Sequence, residues 1–461
     1  MNLVWFRNDL RLTDNPALQA ATESGTPTLL VYILDERAGA ASRWWLNYSL
    51  TALANDIARR GGCLILRRGD PIEIIAGLVK DHNVTSVHAA RAYEPFWRET
   101  DRRLDVALKA LDCGFYRHLS TSLFPPERIT TKTGTLFGVY TPFSKACFEA
   151  GVPLSYLPAP EKLKSPAVEG DDLATWRLLP TKPDWAGGLR AEWTPGETGA
   201  GARLEAFLAG PVHHYDKARD FPACPGTSKL APHFHFGEIS PRFVWQRAMA
   251  MGDGKGVGVF LKEILWREFS LNQLWQHPTL RTQPLRKEFN AFAWRKNDDH
   301  LIAWQRGMTG IPIVDAGMCE LWQTGWMHNR VRMICASYLV KHLLIPWQEG
   351  EKWFWDTLCE ADEAANGASW QWVAGCGADA APYFRIFNPV LQGNKFDPDG
   401  IYVRRFIPEL ASLPNSYIHT PWEAPVALRA RIHYPPPLVL PADGRQAALA
   451  AYSEMQDAAR Q

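Results

Sequence analysis

The sequence predicts two joined architectures: an N-terminal doubly wound parallel-sheet α/β domain (Rossmann-like) and, after a long linker, a nearly all-α domain. Three observations carry that expectation. Short apolar runs alternate with helical stretches over the first third, a Pro- and Gly-rich interval without clear period follows, and helical periodicity then persists. With 461 residues, 46% of them hydrophobic, the chain can bury more than one core.

The runs NLVWF (2–6), TLLVYIL (28–34), CLILRR (63–68) and SVHAARAY (86–93) are short enough for strands buried on both faces. Helical stretches such as WWLNYSLTALANDIARRG separate them, which is the rhythm of a parallel sheet. The loop after the first run reads RNDLRLTDNP instead of GxGxxG, so a dinucleotide site of that kind is not expected there. Residues 1–130 are therefore assigned to the α/β domain and 131–200 to a surface linker, in which 153–200 contain seven prolines. Residues 201–461 are assigned to the helical domain. Ser240–Pro241 reads as a helix start, and Gly325 as a helix end just before WMHNRVRM.

Lys plus Arg (50) nearly balance Asp plus Glu (49), so any nucleic-acid contact must come from a local basic patch. The N-terminus is charged early and no long apolar segment follows it, which excludes a signal peptide or membrane anchor and makes the cytoplasm the default location. Eight cysteines without a CxxC pair or an iron–sulfur spacing read as buried thiols. The two histidines of HFH (233–235) have the spacing of a strand-borne metal pair, but without a third ligand they read as structural. No GxSxG, HExxH or P-loop is present. Twenty tryptophans are a heavy load of large rings for packing alone.

Within the helical part, WMHNRVRM (326–333) should form the first two turns of a long helix. Trp326, Asn329, Arg330 and Met333 would then share a face, a mixture unlike an ordinary core stripe. GTSKL (226–230) offers backbone amides and hydroxyls that suit a phosphate, although the same turn serves as an ordinary cap. In EILWREF, Glu263, Trp266 and Arg267 share a face, as a solvated ion pair beside a buried ring would. Trp370 and Trp372 of NGASWQW point about 200° apart on a helix and must meet different neighbours.

Taken in order, WFRNDLRLTDNPAL, YDKARDFPACPGTSKLAPHFHFGEISPR, WREF, TGIPIVDAGMCELWQTGWMHNRVRM and WQWVAGCGADAAPYFRIFNPVLQGNKFDPDG resemble the photolyase/cryptochrome family from residue 1 to about 410. Within it they resemble the bacterial cyclobutane pyrimidine dimer photolyases, and RWWLNYSL and CELWQTGW lean toward class III.

The resemblance implies light-driven repair by an all-α FAD-binding domain whose active cofactor is reduced FADH⁻. Tyr215, Thr227, Ser228, Lys229, Leu230, Ala231, Arg267, Arg332, Glu360, Ala361, Asp362 and Asn366 fall on cofactor-binding positions, Asn366 on the one facing flavin N5. Glu263, Trp266, Asn329, Met333 and Trp372 fall on positions that receive the flipped dimer, and Glu263 would hydrogen-bond it. Trp370, Trp347 and Trp294 match a photoreducing tryptophan chain. Arg219, Arg330, Arg385, Gln392, Lys395 and Arg404, with Glu263 and Asn329, match or neighbour DNA contacts. The implied partner is UV-damaged DNA, single- or double-stranded, bound by a monomer away from membranes.

Leu271, Asn272 and Gln273 depart from the family pattern. So do Ala231, where a serine is usual, and Glu360, where an aspartate is usual and would partner Arg332. At the antenna positions Phe96–Trp97 and Asn47–Tyr48 replace the common pairs, which favours methenyltetrahydrofolate over a deazaflavin and leaves an empty site open. The rival reading is a cryptochrome-type photoreceptor. A six-four photolyase would need paired histidines where His328 stands alone.

Overall fold

The computed structural model describes the chain except residues 24, 154, 155, 381–383 and 461. The residues 381–383 within WQWVAGCGADAAPYFRIF therefore lie outside the described residues. Five strands, β1 (Asn2–Phe6), β2 (Thr28–Ile33), β3 (Leu64–Arg67), β4 (Ser86–Ala90) and β5 (Gly114–His118), form one sheet in the order β3-β2-β1-β4-β5, every pair parallel. The register sets Leu3 opposite Leu29 and Val87, so the central strands bury both faces. Helices α1 (Pro16–Thr22), α2 (Ala40–Arg59), α3 (Pro71–His82) and α4 (Pro95–Lys109) supply the crossovers. Strand β5, GFYRH, was not among the expected runs, because an edge strand with an exposed Tyr116 lacks the apolar signature.

The chain groups into two compact units, one comprising Met1–Ala186, Arg190–His213 and Ser228–Pro278, the other Gly187–Leu189, His214–Thr227 and Thr279–Gln461. The first is centred on the sheet. Its RNDLRLTDNP loop fills the place of a nucleotide-binding turn with its own charges: buried Arg11 donates to the carbonyls of Thr13, Asp14, Ser120 and Gly237. Gly237 is required here, with φ +63° and a Cβ position only 1.9 Å from the Asn8 carbonyl oxygen.

The expected linker carries regular structure. Helix α5 (Tyr140–Ala150) packs on the Lys255–Gln276 helix, and residues 163–171 follow the β3 edge, with Leu163 N–H donating to Arg60 O (2.8 Å) and Asp171 N–H to Leu66 O (2.9 Å). This covers an edge that would otherwise expose unpaired backbone groups.

Among the described residues the second unit is helical, around a core running from Phe289 to Met455. Ser240 caps the Pro241–Met249 helix of the first unit by accepting Phe243 N–H, and Gly325 ends the Pro312–Thr324 helix at φ +65°, both as expected. The next helix corrects the expectation: it begins at Asn329, not Trp326, and runs to Ser337 before a π-helical turn over Tyr338–His342. After Gly325 the chain needs three residues to turn, so Trp326 is not part of the helical face. HFH is likewise helical, within Ala231–His235, and not on a strand. No helix among the described residues is long and apolar enough to cross a membrane.

Candidate functional site

The Asn329–Ser337 helix is capped by His328, whose Nδ1 accepts Arg330 N–H (3.2 Å). Burial, then Arg332 and Arg330, push the imidazole down to about 4, so its ring nitrogen is free to accept. His328 N–H is held in turn by Glu320 (3.0 Å), which also accepts Tyr402 Oη (2.7 Å). Asn329 is exposed at the helix start, and Met333 lies one turn on. Arg330 donates to Asp220 (2.6 Å), lies 4.5 Å from the Phe396 ring centre and has a nitrogen 3.9 Å from Met333 Sδ. Arg332 donates through Nε to Met327 O (2.6 Å) and pairs with Glu360.

That pair uses only half of the Glu360 carboxylate. Its second oxygen is buried with no hydrogen-bond partner among the described residues, an acceptor that a bound group would satisfy. Ala361 is buried beside it, and Asp362 caps the Glu363–Ala374 helix through Ala365 N–H (2.6 Å). Asn366, one turn further, donates its amide to Glu351 O (3.1 Å) and Oε1 (2.9 Å), and Glu351 also holds Arg281 Nε (2.6 Å). With both Asn366 donor contacts on Glu351, the amide cannot flip without losing them, and its oxygen is left as an acceptor. These two open acceptors fit a ring or ribityl group that donates N–H or O–H.

Trp370 and Trp372 do meet different neighbours. Trp370 is buried against Phe354 (5.0 Å between ring centres) and edge-on to Trp304 (6.2 Å), while Trp372 Nε1 donates to Asp379 O (3.2 Å). Gly350 is needed under Trp370, since a Cβ there would come within 2.1 Å of the indole. Trp347 is buried; Trp294 is half-buried beside Phe292 (4.4 Å).

Tyr215 is buried, with the Arg219 guanidinium 5.4 Å from its ring centre. Thr227, Ser228 and Lys229 are partly exposed, and Leu230 is buried ahead of exposed Ala231. Lys229 adopts φ +50° and donates to Glu192 (2.9 Å). Eight free cysteines are present, and no group of three or more His, Cys, Asp or Glu among the described residues could hold a metal ion. His233 pairs instead with buried Glu238.

In the first unit, the Lys255–Gln276 helix carries Glu263, Trp266 and Arg267. Trp266 stacks face to face on Tyr140 at 3.6 Å and 5°. Arg267 turns to Thr121 O (2.6 Å) and does not form the solvated pair with Glu263. Its neighbour Glu268 is buried and accepts Leu123 N–H (2.9 Å) and Phe124 N–H (3.3 Å). Asn272 and Gln273 are buried; Gln273 donates to Phe137 O (2.8 Å). Of the antenna positions, Trp97 is buried edge-on to Trp5 and belongs to the core, while Phe96 is exposed under the Arg37 guanidinium (4.0 Å). Tyr48 packs on Trp44 (5.0 Å), and Asn47 is half-buried.

Arg330 and Lys395 gather on one ring, Phe396, with Lys395 Nζ 5.0 Å from its centre. Arg385 is exposed and Gln392 half-buried. Arg404 donates to Asp399 O, Leu413 O (2.6 Å) and Asn415 Oδ1 (2.9 Å), and so is bound to its own loop. The sequence reading missed Tyr140, Asp220, Glu351 and Glu268. Only the regular i, i+3, i+4 spacing of the Lys255–Gln276 helix hinted that Trp266 needed a partner, and Tyr140 and Asp220 are far in sequence from Trp266 and Arg330.

The second unit thus presents two acceptors, the buried Glu360 oxygen and the Asn366 amide oxygen, to a donor ligand. The model of the FAD binding domain of DNA photolyase matches residues 260–454, and that of DNA photolyase matches 2–163. The chain belongs to the photolyase/cryptochrome family. It is 47% identical to the deoxyribodipyrimidine photo-lyase of Agrobacterium fabrum, with 98% of each chain covered. A crystal structure of a bacterial class III photolyase from Agrobacterium tumefaciens superimposes with a TM-score of 0.96 at 47% identity, covering 99% of this chain and 98% of that one. Cryptochrome-1 of Arabidopsis thaliana is 35% identical, over 95% of this chain and 68% of its own length.

Proposed function

We propose that the protein is a deoxyribodipyrimidine photo-lyase that splits cyclobutane pyrimidine dimers in DNA with light. The observation that carries this reading is Asn366, its amide locked by Glu351 and its oxygen left as the acceptor. An acceptor there would suit a bound ring that carries an N–H, as a reduced flavin does. FAD held here would supply, in its fully reduced form, light-driven transfer and return of one electron, with no net redox change.

The chain's own residues bind and orient. Tyr215, Thr227, Ser228, Lys229, Leu230, Ala231, Arg267, Arg332, Glu360, Ala361, Asp362 and Asn366 are the residues proposed to hold the cofactor, Glu360 through its open oxygen. Trp266 and Trp372 offer apolar faces to a pair of bases that stacks poorly and leaves the duplex at reduced cost. Stacking on Tyr140 fixes the plane of Trp266. The Glu263 carboxyl gives a hydrogen bond to a dimer carbonyl, and Asn329 and Met333 make the remaining contacts. Arg219, Arg330, Arg385, Gln392 and Lys395 face phosphates. Trp370, Trp347 and Trp294 carry electrons to an oxidised cofactor from solvent. The exposed Phe96 with Arg37 supports a folate antenna, methenyltetrahydrofolate in preference to a deazaflavin. The protein works as a cytoplasmic monomer.

The test is illumination of the reduced protein with a dimer-containing oligonucleotide while thymine absorbance is followed. Recovery is expected in light and not in the dark. No recovery would replace this reading with the photoreceptor.

A further inference from the structure

We propose that Asp220 is a built-in stand-in for a DNA phosphate, which holds the Arg330 guanidinium until the backbone of the bound duplex displaces it. The inference rests on the reading of Arg330 as a phosphate contact and adds to it the residue that competes for that contact.

The geometry is that of an anion site filled by the protein's own carboxylate. One Arg330 nitrogen donates to Asp220 at 2.6 Å, its only contact with an anion among the described residues. A second nitrogen has only the Met333 sulfur, at 3.9 Å, a weak acceptor, and the buried Nε has no partner. A planar fork with five donors is therefore used through one of them, whereas a phosphate can take two in parallel. The Phe396 face, 4.5 Å from the guanidinium carbon, keeps the fork in place during an exchange.

The pair is also placed to be broken. Its side chains are 21% and 34% exposed, so water screens the attraction and the bond is of the weak surface kind. Asp220 is the acid within a cationic neighbourhood: Arg219 precedes it in the chain, and Lys395 shares the Phe396 ring with Arg330. The contact with Met333 ties the exchanged arginine to a residue assigned to the dimer. A carboxylate there costs phosphate affinity, yet it keeps the guanidinium oriented and paired in the DNA-free protein.

The experiment measures dark binding of an end-labelled duplex carrying one cyclobutane dimer to the flavin-loaded protein by fluorescence anisotropy, for Asp220→Asn, Asp220→Glu, Arg330→Ala and the double variant Asp220→Asn/Arg330→Ala. Equal melting temperatures check the fold. Asp220→Asn should bind about two- to fivefold tighter at low salt, with the gain fading as salt screens the pair. Asp220→Glu should match the parent, and Arg330→Ala should bind more weakly. In the Arg330→Ala background the Asn substitution should have no effect. Unchanged or weaker binding by Asp220→Asn overturns the exchange and makes Asp220 a positioning residue. A gain that persists without Arg330 overturns it too, since that is a simple net-charge effect. If Arg330→Ala binds like the parent, the phosphate role of Arg330 itself fails.

Discussion

Replacing Glu268 by Gln should change the pH dependence of stability in a way that can be worked from the structure. The carboxyl is 4% exposed, and one oxygen accepts the N–H groups of Leu123 and Phe124, while the other lies 3.6 Å from Arg267 with no hydrogen bond. Burial outweighs these favourable contacts and pushes the group from 4.5 up to about 7. A folded carboxyl that holds its proton more tightly than the unfolded one stabilises the fold at low pH. Below about 4.5 that contribution is complete; it is lost as pH rises through 7, and above that both states are ionised and the deficit is constant. The span from 4.5 to about 7 corresponds to about 3 kcal/mol, at about 1.4 kcal/mol for each tenfold. Glutamine does not titrate, so lost contacts with Arg267 enter as a constant offset. Urea unfolding of both proteins, followed by tryptophan fluorescence between about pH 5 and about pH 8, should show the variant gaining most of that 3 kcal/mol on the parent. A pH-independent difference would refute the reasoning and mean that the amides and Arg267 keep Glu268 ionised throughout.

Three further outcomes are expected. Trp370→Phe should greatly slow flavin photoreduction, followed by absorbance under blue light with an external reductant, yet leave repair by pre-reduced protein near the parent level; loss of both together would mean that the indole is needed for packing or repair. Gly350→Ala places a methyl 2.1 Å from that indole and should cost about 1–3 kcal/mol of stability, read from chemical denaturation, while also slowing photoreduction. Glu263→Gln should lower the repair yield; a yield equal to the parent would remove Glu263 from the reaction.

Much of the fold could be read along the chain because it depends on short-range chemistry. Short apolar runs between helical stretches are what a buried parallel sheet requires, and four of the five strands follow from them. Caps are equally local: Ser240 and Gly325 act within a few residues of themselves. The helix at WMHNRVRM was misplaced by three residues because periodicity does not register a turn set by Glu320 and His328 holding the backbone.

The candidate site divides in the same way. Helical spacing singled out Trp266, and the family resemblance Asn366 and Arg332, as chemical groups. Their states were not legible, because each depends on a partner distant in sequence. Asn366 has its oxygen open only because Glu351 takes its donors, Trp266 has one face covered by Tyr140, and Arg330 is held by Asp220, which is 110 positions away. Arg404 shows the converse: a cation in a matched position whose own loop has absorbed it. By itself the sequence determined which groups the chain carries and which elements bear them. Tertiary structure alone decided which donors, acceptors and ring faces remain open, because burial and long-range pairing dispose of each polar atom one partner at a time.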